Sequence, residues 1–196
     1  MVEYETRGRI AVLTINRPEA KNAVNGAVAQ GIEDGIDEAE ADDEVWVVIL
    51  TGQKDVFCAG ADLKEINAGN GGALQTERGG FGGFVQRERT KPVIAAVEGP
   101  ALAGGTELVL ACDMVVASRE ARFGIPEVKR NLVAAAGGLF RLPKVLPLPI
   151  AMELALTGDF FSAELAERHG MVNQLSEPGE ALDTAIALAE RVTANA

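Results

Sequence analysis

Two glutamates and two runs of small residues carry most of the chemistry this sequence could perform. Glu107 stands three residues after Gly104 in Glu98–Asp113 (EGPALAGGTELVLACD), and Glu127 closes Phe123–Glu127 (FGIPE). Both have apolar neighbours, an unusual setting for a carboxylate. Two carboxylates facing one substrate can divide proton donation from proton removal. The competing reading is a pair of solvated charges at helix starts. The small residues are Ala59-Gly60-Ala61 within Val56–Lys64 (VFCAGADLK), after a strand–turn unit, and Gly104-Gly105 at a helix start. Small residues admit a ligand to the backbone, and a helix start presents N–H groups with no internal partner. Two such N–H groups on one carbonyl oxygen would form an oxyanion hole. Tight turns explain the same residues equally well.

Other chemistries find no support. The glycines between Ala68 and Gly83 do not form GxGxxG between a strand and a helix, and neither GxxxxGK[ST] nor GxSxG occurs. The single histidine, His169, excludes a metal site built from several imidazoles. It also lies far in sequence from both glycine-rich segments, which disfavours a serine–histidine peptidase. Its place in AERHGMV suits the C-terminal end of a helix. Cys58 and Cys112 form no CxxC and have apolar flanks, so they read as packing residues. No metal and no redox cofactor is expected.

The elements that must position these residues alternate. Ile10–Asn16, Val45–Thr51, Pro92–Val97 and Met114–Ala117 read as strands, Val45–Thr51 as one buried on both faces. Asn25 caps a helix with Val28, Ile32, Ile36 and Ala39 on one face, and Gly104–Ala111 opens another. Further helical patterns occupy Pro149–Leu156, Ala163–His169 and Glu180–Val192. This is an α/β chain, and no linker or internal repeat divides it, so residues 1–196 are read as one domain. The glycine-rich stretch Ala68–Gly83 reads as a mobile loop, or as a lid that orders over a ligand.

The charge balance, 18 Lys+Arg against 29 Asp+Glu for a net −11, offers no electrostatic footprint for nucleic acid or an anionic membrane. No run approaches the roughly 18 apolar residues of a membrane span. The start, MVEYETRGRI, lacks the basic and apolar regions of a signal peptide. A cytoplasmic setting is expected.

The combination of motifs resembles the crotonase superfamily, the enoyl-CoA hydratase/isomerase family. The matching segments are TINRPEAKNA at 14–23, VILTG at 48–52, FCAGADLKE at 57–65, KPVIAAVEGPALAGGTELVLACD at 91–113, FGIPE at 123–127 and LALTGD at 154–159. They run in the family's order along nearly the whole chain. The resemblance implies a spiral of ββα units, acyl-CoA thioester substrates and no cofactor beyond the CoA of the substrate. It puts the thioester oxygen on the backbone N–H groups of Ala61 and Gly104, and CoA near Ala59 and Lys64. Glu107 and Glu127 match the paired glutamates of hydratases, whereas many isomerases keep only one. The implied reaction is addition of water to a trans-2-enoyl-CoA. Double-bond isomerisation, thioester hydrolysis and low-turnover acyl-CoA binding or assembly are the rivals.

The sequence departs from the family at specific places. Ile125 stands where hydratases often carry glutamine, and Asn131, Ala134 and Ala135 stand at positions often held by Gly, Pro and Gly. That loop borders the acyl pocket, so substrate choice rests on it. Family chains usually continue for several tens of residues beyond the position of Ala196. The resemblance therefore divides the chain into a core, 1–175, and the start of a C-terminal helical region, 176–196. The stripe Leu182, Ile186, Ala189 and Val192 leads to the expectation of a shortened or missing C-terminal segment. A homotrimer or hexamer is expected if that segment is present.

Overall fold

A computed structural model describes residues 1–195. The chain opens with an antiparallel pair, β1 (Val2–Arg7) and β2 (Ile10–Ile15), and then α1 (Gly26–Ala41). Asn25 caps α1 by accepting the Val28 N–H at 2.9 Å. Val28, Ile32, Ile36 and Ala39 form its buried face, as their spacing requires. β3 (Val47–Gly52) leads to α2 (Leu63–Asn67) and a small hairpin, β4 (Gln75–Thr76) with β5 (Gly80–Phe81). β6 (Val93–Val97), β7 (Ala101–Leu102) and α3 (Gly104–Ala111) follow. Next come β8 (Met114–Ser118), β9 (Arg122–Gly124) and a 3-10 turn, Pro126–Arg130. The remainder is α4 (Gly138–Val145), α5 (Leu148–Thr157), β10 (Phe161–Ser162), α6 (Ala163–Arg168), β11 (Gln174–Ser176) and α7 (Ala181–Thr193).

The large sheet has the order β1-β2-β3-β6-β8-β11, parallel throughout except for β1. A smaller sheet, β10-β9-β7, lies beside it. The repeat is a spiral of ββα units. β6 passes into the small sheet as β7 and then into α3. β8 passes into β9, the 3-10 turn and α4. β3 does the same in reduced form, with Cys58 bridging Ala101 before α2. Each unit delivers a chain turn and a helix start to the same side of the sheet.

The main core lies between the large sheet, α1 and the helices around α3, and holds Leu13, Phe57, Phe84, Leu108 and Phe123. A second cluster on the other face of the sheet joins Val12, Ile49, Ile94 and Val116 to Ala185, Leu188 and Ala189 of α7. Leu182, Ile186 and Val192 pack against that cluster. The stripe on α7 is thus covered by the chain's own sheet. β1 escaped the sequence reading because its side chains remain mostly exposed and give no apolar run. The glycine-rich stretch is more organised than a plain loop. It contains the hairpin, and Arg78 pairs there with Glu33 and Asp37 of α1. No helix among the described residues is long and apolar enough to cross a membrane.

Candidate active site

The Arg17–Ala23 segment sets the base of the site. Asn22 is fully buried, and its Nδ2 donates to Gln53 O at 3.0 Å and Val56 O at 2.7 Å. Its Oδ1 accepts the Arg17 N–H. Arg17 in turn pairs with the buried Asp62 at 2.6 Å, and Asp62 caps α2 by accepting the Lys64 N–H. Ala59–Asp62 is therefore held at both ends.

Gly60 makes the next contact. Its φ is +94, and a Cβ there would lie 2.9 Å from Leu102 O and 3.0 Å from Gly104 N. Only glycine lets the Ala59–Ala61 turn approach the start of α3 this closely. Ala103, which precedes α3, takes φ 53 and ψ −125, a strained conformation for a residue with a Cβ. Its N–H is bound to Gly124 O at 2.8 Å. The buried Thr106 lies 2.6 Å from Ala101 O, and accepts the Gly124 N–H at 3.0 Å. These contacts hold the helix start against β7 and β9. Among the described residues the N–H groups of Ala61 and Gly104 have no backbone acceptor.

A cavity of about 460 Å³ opens over this junction. Ala59, Ala61, Gly104, Glu107 and Glu127 all line it. Lys64 is the one candidate outside that lining. It is exposed on α2, beside Leu63 and Ile66, which do face the cavity.

The two glutamates come from different elements. Glu107, one turn into α3, is 3% exposed and its Oε1 accepts the Gly138 N–H at 2.9 Å. Burial pushes its carboxyl up to about 7, and Glu127 pushes in the same direction. The N–H groups of Gly138 and Ala136 and the charge of Arg141 act against that rise. Glu127 sits in the 3-10 turn after β9 and is half-buried, and burial also raises its carboxyl. Its Oε2 is buried with no hydrogen-bond partner. A buried oxygen left unpaired costs about 1–3 kcal/mol and is ready to bind an incoming donor.

The far wall is the Asn131–Gly138 loop. Asn131 takes φ 53, a left-handed conformation that asparagine tolerates better than most residues. Leu132 and Val133 are exposed at 49% and 66% and line both this cavity and a neighbouring apolar one of about 410 Å³. Ile125 is buried against Gly138 and makes no polar contact with Glu127. Phe81, Thr106, Arg130 and Arg141 were not singled out from sequence. Phe81 packs on the start of α3, where a Cβ at Gly104 would meet its ring at 2.4 Å. The Cys58 and Cys112 thiols are pushed up to about 12 by burial, which fits a packing role. His169 is the C-cap of α6, as its sequence context indicated.

The family described as Enoyl-CoA hydratase/isomerase matches residues 5–196. A short-chain-enoyl-CoA hydratase from Clostridium acetobutylicum is 40% identical over 200 residues, covering 100% of this chain and 76% of its own. A mevalonyl-coenzyme A hydratase from Aspergillus fumigatus is 43% identical over 188 residues, covering 95% and 70%. The crystal structure of an enoyl-CoA hydratase from Mycobacterium tuberculosis superposes with a TM-score of 0.95 at 58% identity, covering 99% of this chain and 76% of that one.

Proposed function

The chain belongs to the enoyl-CoA hydratase/isomerase family, and from that premise we propose that it is an enoyl-CoA hydratase, adding water to a trans-2-enoyl-CoA. The observation that carries this reading is that one cavity receives two carboxylates and two unpaired backbone N–H groups from three separate chain segments. The thioester oxygen sits on the N–H groups of Ala61 and Gly104. As the water oxygen bonds to C3, negative charge moves through C2 to that oxygen, where the two N–H groups stabilise it. Losing one such donor typically costs about 10²–10³ in rate.

The water lies between Glu107 and Glu127. Glu107 takes its proton as oxygen bonds to C3, and Glu127 delivers a proton to C2. The product is a 3-hydroxyacyl-CoA, and the carboxyl pair returns to its starting state by passing one proton across. Burial raises both carboxyls, and the charge of Glu127 further disfavours ionisation of Glu107. CoA is part of the substrate, entering past Ala59, with Lys64 near its phosphates. The reaction needs no further cofactor. Assembly into a trimer or hexamer, where the C-terminal segment is present, belongs to the same proposal, supported by the exposed Leu139, Phe140, Leu148, Met152 and Leu156 on α4 and α5.

The test is incubation with crotonyl-CoA while the conjugated thioester absorbance is followed. Loss of absorbance with formation of 3-hydroxybutyryl-CoA is the expected result. Release of free thiol, conversion of a 3-enoyl-CoA without hydration, or saturable binding with no turnover would each overturn it. These outcomes indicate a hydrolase, an isomerase and a binding protein respectively.

A further inference from the structure

Arg141 lies on α4, and its guanidinium is partly buried. Its Nη1 donates to Ala136 O at 3.1 Å and its Nη2 to Val85 O at 2.5 Å. One guanidinium thus ties the loop before α4 to the segment that follows the glycine-rich hairpin. Gly137, at φ +117, makes room for it: a Cβ there would fall 1.9 Å from Arg141 Nη1. Neither of its hydrogen-bond partners is a carboxylate. A partly buried charge held only by carbonyls is costly unless another charge compensates it. The groups that face it are Glu107 on α3, which compensates, the neighbouring Arg89, which opposes, and Cys112. Glu107 itself faces Arg141, Glu127 from the 3-10 turn, and the N–H groups of Ala136 and Gly138.

We propose that Arg141 is a positioning residue for the Glu107 carboxylate. By bridging Ala136 and Val85 it holds the loop whose Gly138 N–H binds Glu107 Oε1, and it sets a positive charge behind that carboxylate. The kinetic consequence rests on the hydratase reading, whereas the effect on Glu107 does not. The two contributions separate by substitution. Arg141→Lys keeps the charge but gives up the planar fork that reaches both carbonyls. Arg141→Met keeps an apolar stem and loses both. Removing an opposite charge from beside a buried carboxyl moves its titration upward.

The experiment follows the Glu107 carboxyl by carbon-13 NMR across a pH series in the full chain and both variants, with Glu107→Gln identifying the resonance. In Arg141→Met the midpoint should rise by about half a pH unit or more, and in Arg141→Lys it should stay near that of the parent. With crotonyl-CoA, kcat should fall about tenfold or more in Arg141→Met while KM changes less than about threefold. The acid limb of the rate profile should move with the Glu107 titration, and Arg141→Lys should recover part of the rate. An unmoved Glu107 titration in Arg141→Met overturns the proposal, even if the variant is less stable. If Arg141→Met does not fold, Arg141→Lys decides alone: a Glu107 titration and a kcat both equal to those of the parent overturn it, because losing the fork to Ala136 and Val85 would then have no effect. A parent protein that does not hydrate crotonyl-CoA, yet shows the expected Glu107 shift in Arg141→Met, overturns the hydratase reading and leaves the positioning role standing.

Discussion

The two walls of the cavity are built in opposite ways. The first, Ala59–Asp62 with the start of α3, is held by buried polar contacts: Asn22 to two carbonyls, Arg17 to Asp62, Thr106 to β7 and β9. It leaves almost no free volume, because a Cβ at Gly105 would fall 2.1 Å from Cys58 O. The second wall, Pro126–Gly138, is a 3-10 turn and a loop whose Val128, Leu132 and Val133 are exposed. It touches the first wall chiefly through Gly138 and Glu107. Under the proposed hydration the difference separates two tasks. Stabilising charge on a reacting oxygen demands donors placed to within a few tenths of an ångström, a task that suits the wall held by buried polar contacts. Accommodating an acyl group demands shape alone, and a loop can vary shape without disturbing the donors.

The largest effect that would break this comparison is on turnover. Glu107→Gln, fixed to the first wall, and Glu127→Gln, carried by the second, should each lower kcat with crotonyl-CoA by about 10²-fold or more, with acyl-CoA binding retained. Near-normal turnover in Glu127→Gln would mean that the second wall contributes shape only. The next contrast concerns stability. Gly105→Ala should cost about 3 kcal/mol or more in urea unfolding, since the clash is with backbone. Gly138→Ala should cost about 1 kcal/mol, since its Cβ would meet Ala134 Cβ at 3.0 Å and Glu107 Oε1 at 3.2 Å. Equal costs would show that the two walls do not differ in rigidity.

A smaller effect follows from the proton on Glu107. Its carboxyl rises from 4.5 to about 7 on folding, so the native state binds more protons than the unfolded chain between those values. The stability this gives is fully present below the ordinary carboxylate range and is lost as pH rises through about 7. Glu107→Gln should therefore be more stable than the parent at pH 8, by at most about 3 kcal/mol, and the gap should close toward pH 4. Urea unfolding at both values measures it, and a gap independent of pH would place the proton elsewhere. The smallest effect sharpens the comparison. Val133→Ala should change kcat for crotonyl-CoA by less than about threefold while shifting the preference between short and longer enoyl-CoA substrates. A large loss on crotonyl-CoA would mean that the loop also orients the reacting atoms.

Much of the frame was legible before any coordinates. The run Val45–Thr51 announced a strand buried on both faces, observed as Val47–Gly52, and Asn25 with Val28, Ile32, Ile36 and Ala39 announced the cap and face of α1. Glu107 and Glu127 stood out as carboxyls among apolar neighbours, and they do line one cavity. Other features left no local signal. β1 is edge-exposed and alternates weakly, and the β4–β5 hairpin is held by Arg78 reaching to α1 across forty or more residues. The stripe on α7 was read correctly as a face needing cover, yet its partner, the back of the large sheet, could not be named from helical spacing. Arg141 gives no local signal of its contacts, because one of the carbonyls at its guanidinium, Val85 O, belongs to a segment 56 residues away.

By itself the sequence determined the elements, the alternation of strand and helix, the chemistry on offer and the positions where small residues are required. Those properties depend on periodicity, on caps and on the presence or absence of a Cβ, all of which act over a few residues. Only the tertiary structure decided that Ala61 and Gly104 meet, that Glu107 is dry enough to hold a proton near pH 7, and that Val133 faces the cavity. Those properties depend on desolvation and on contacts between segments far apart in the chain. Neither quantity exists until the ββα units have closed on one another.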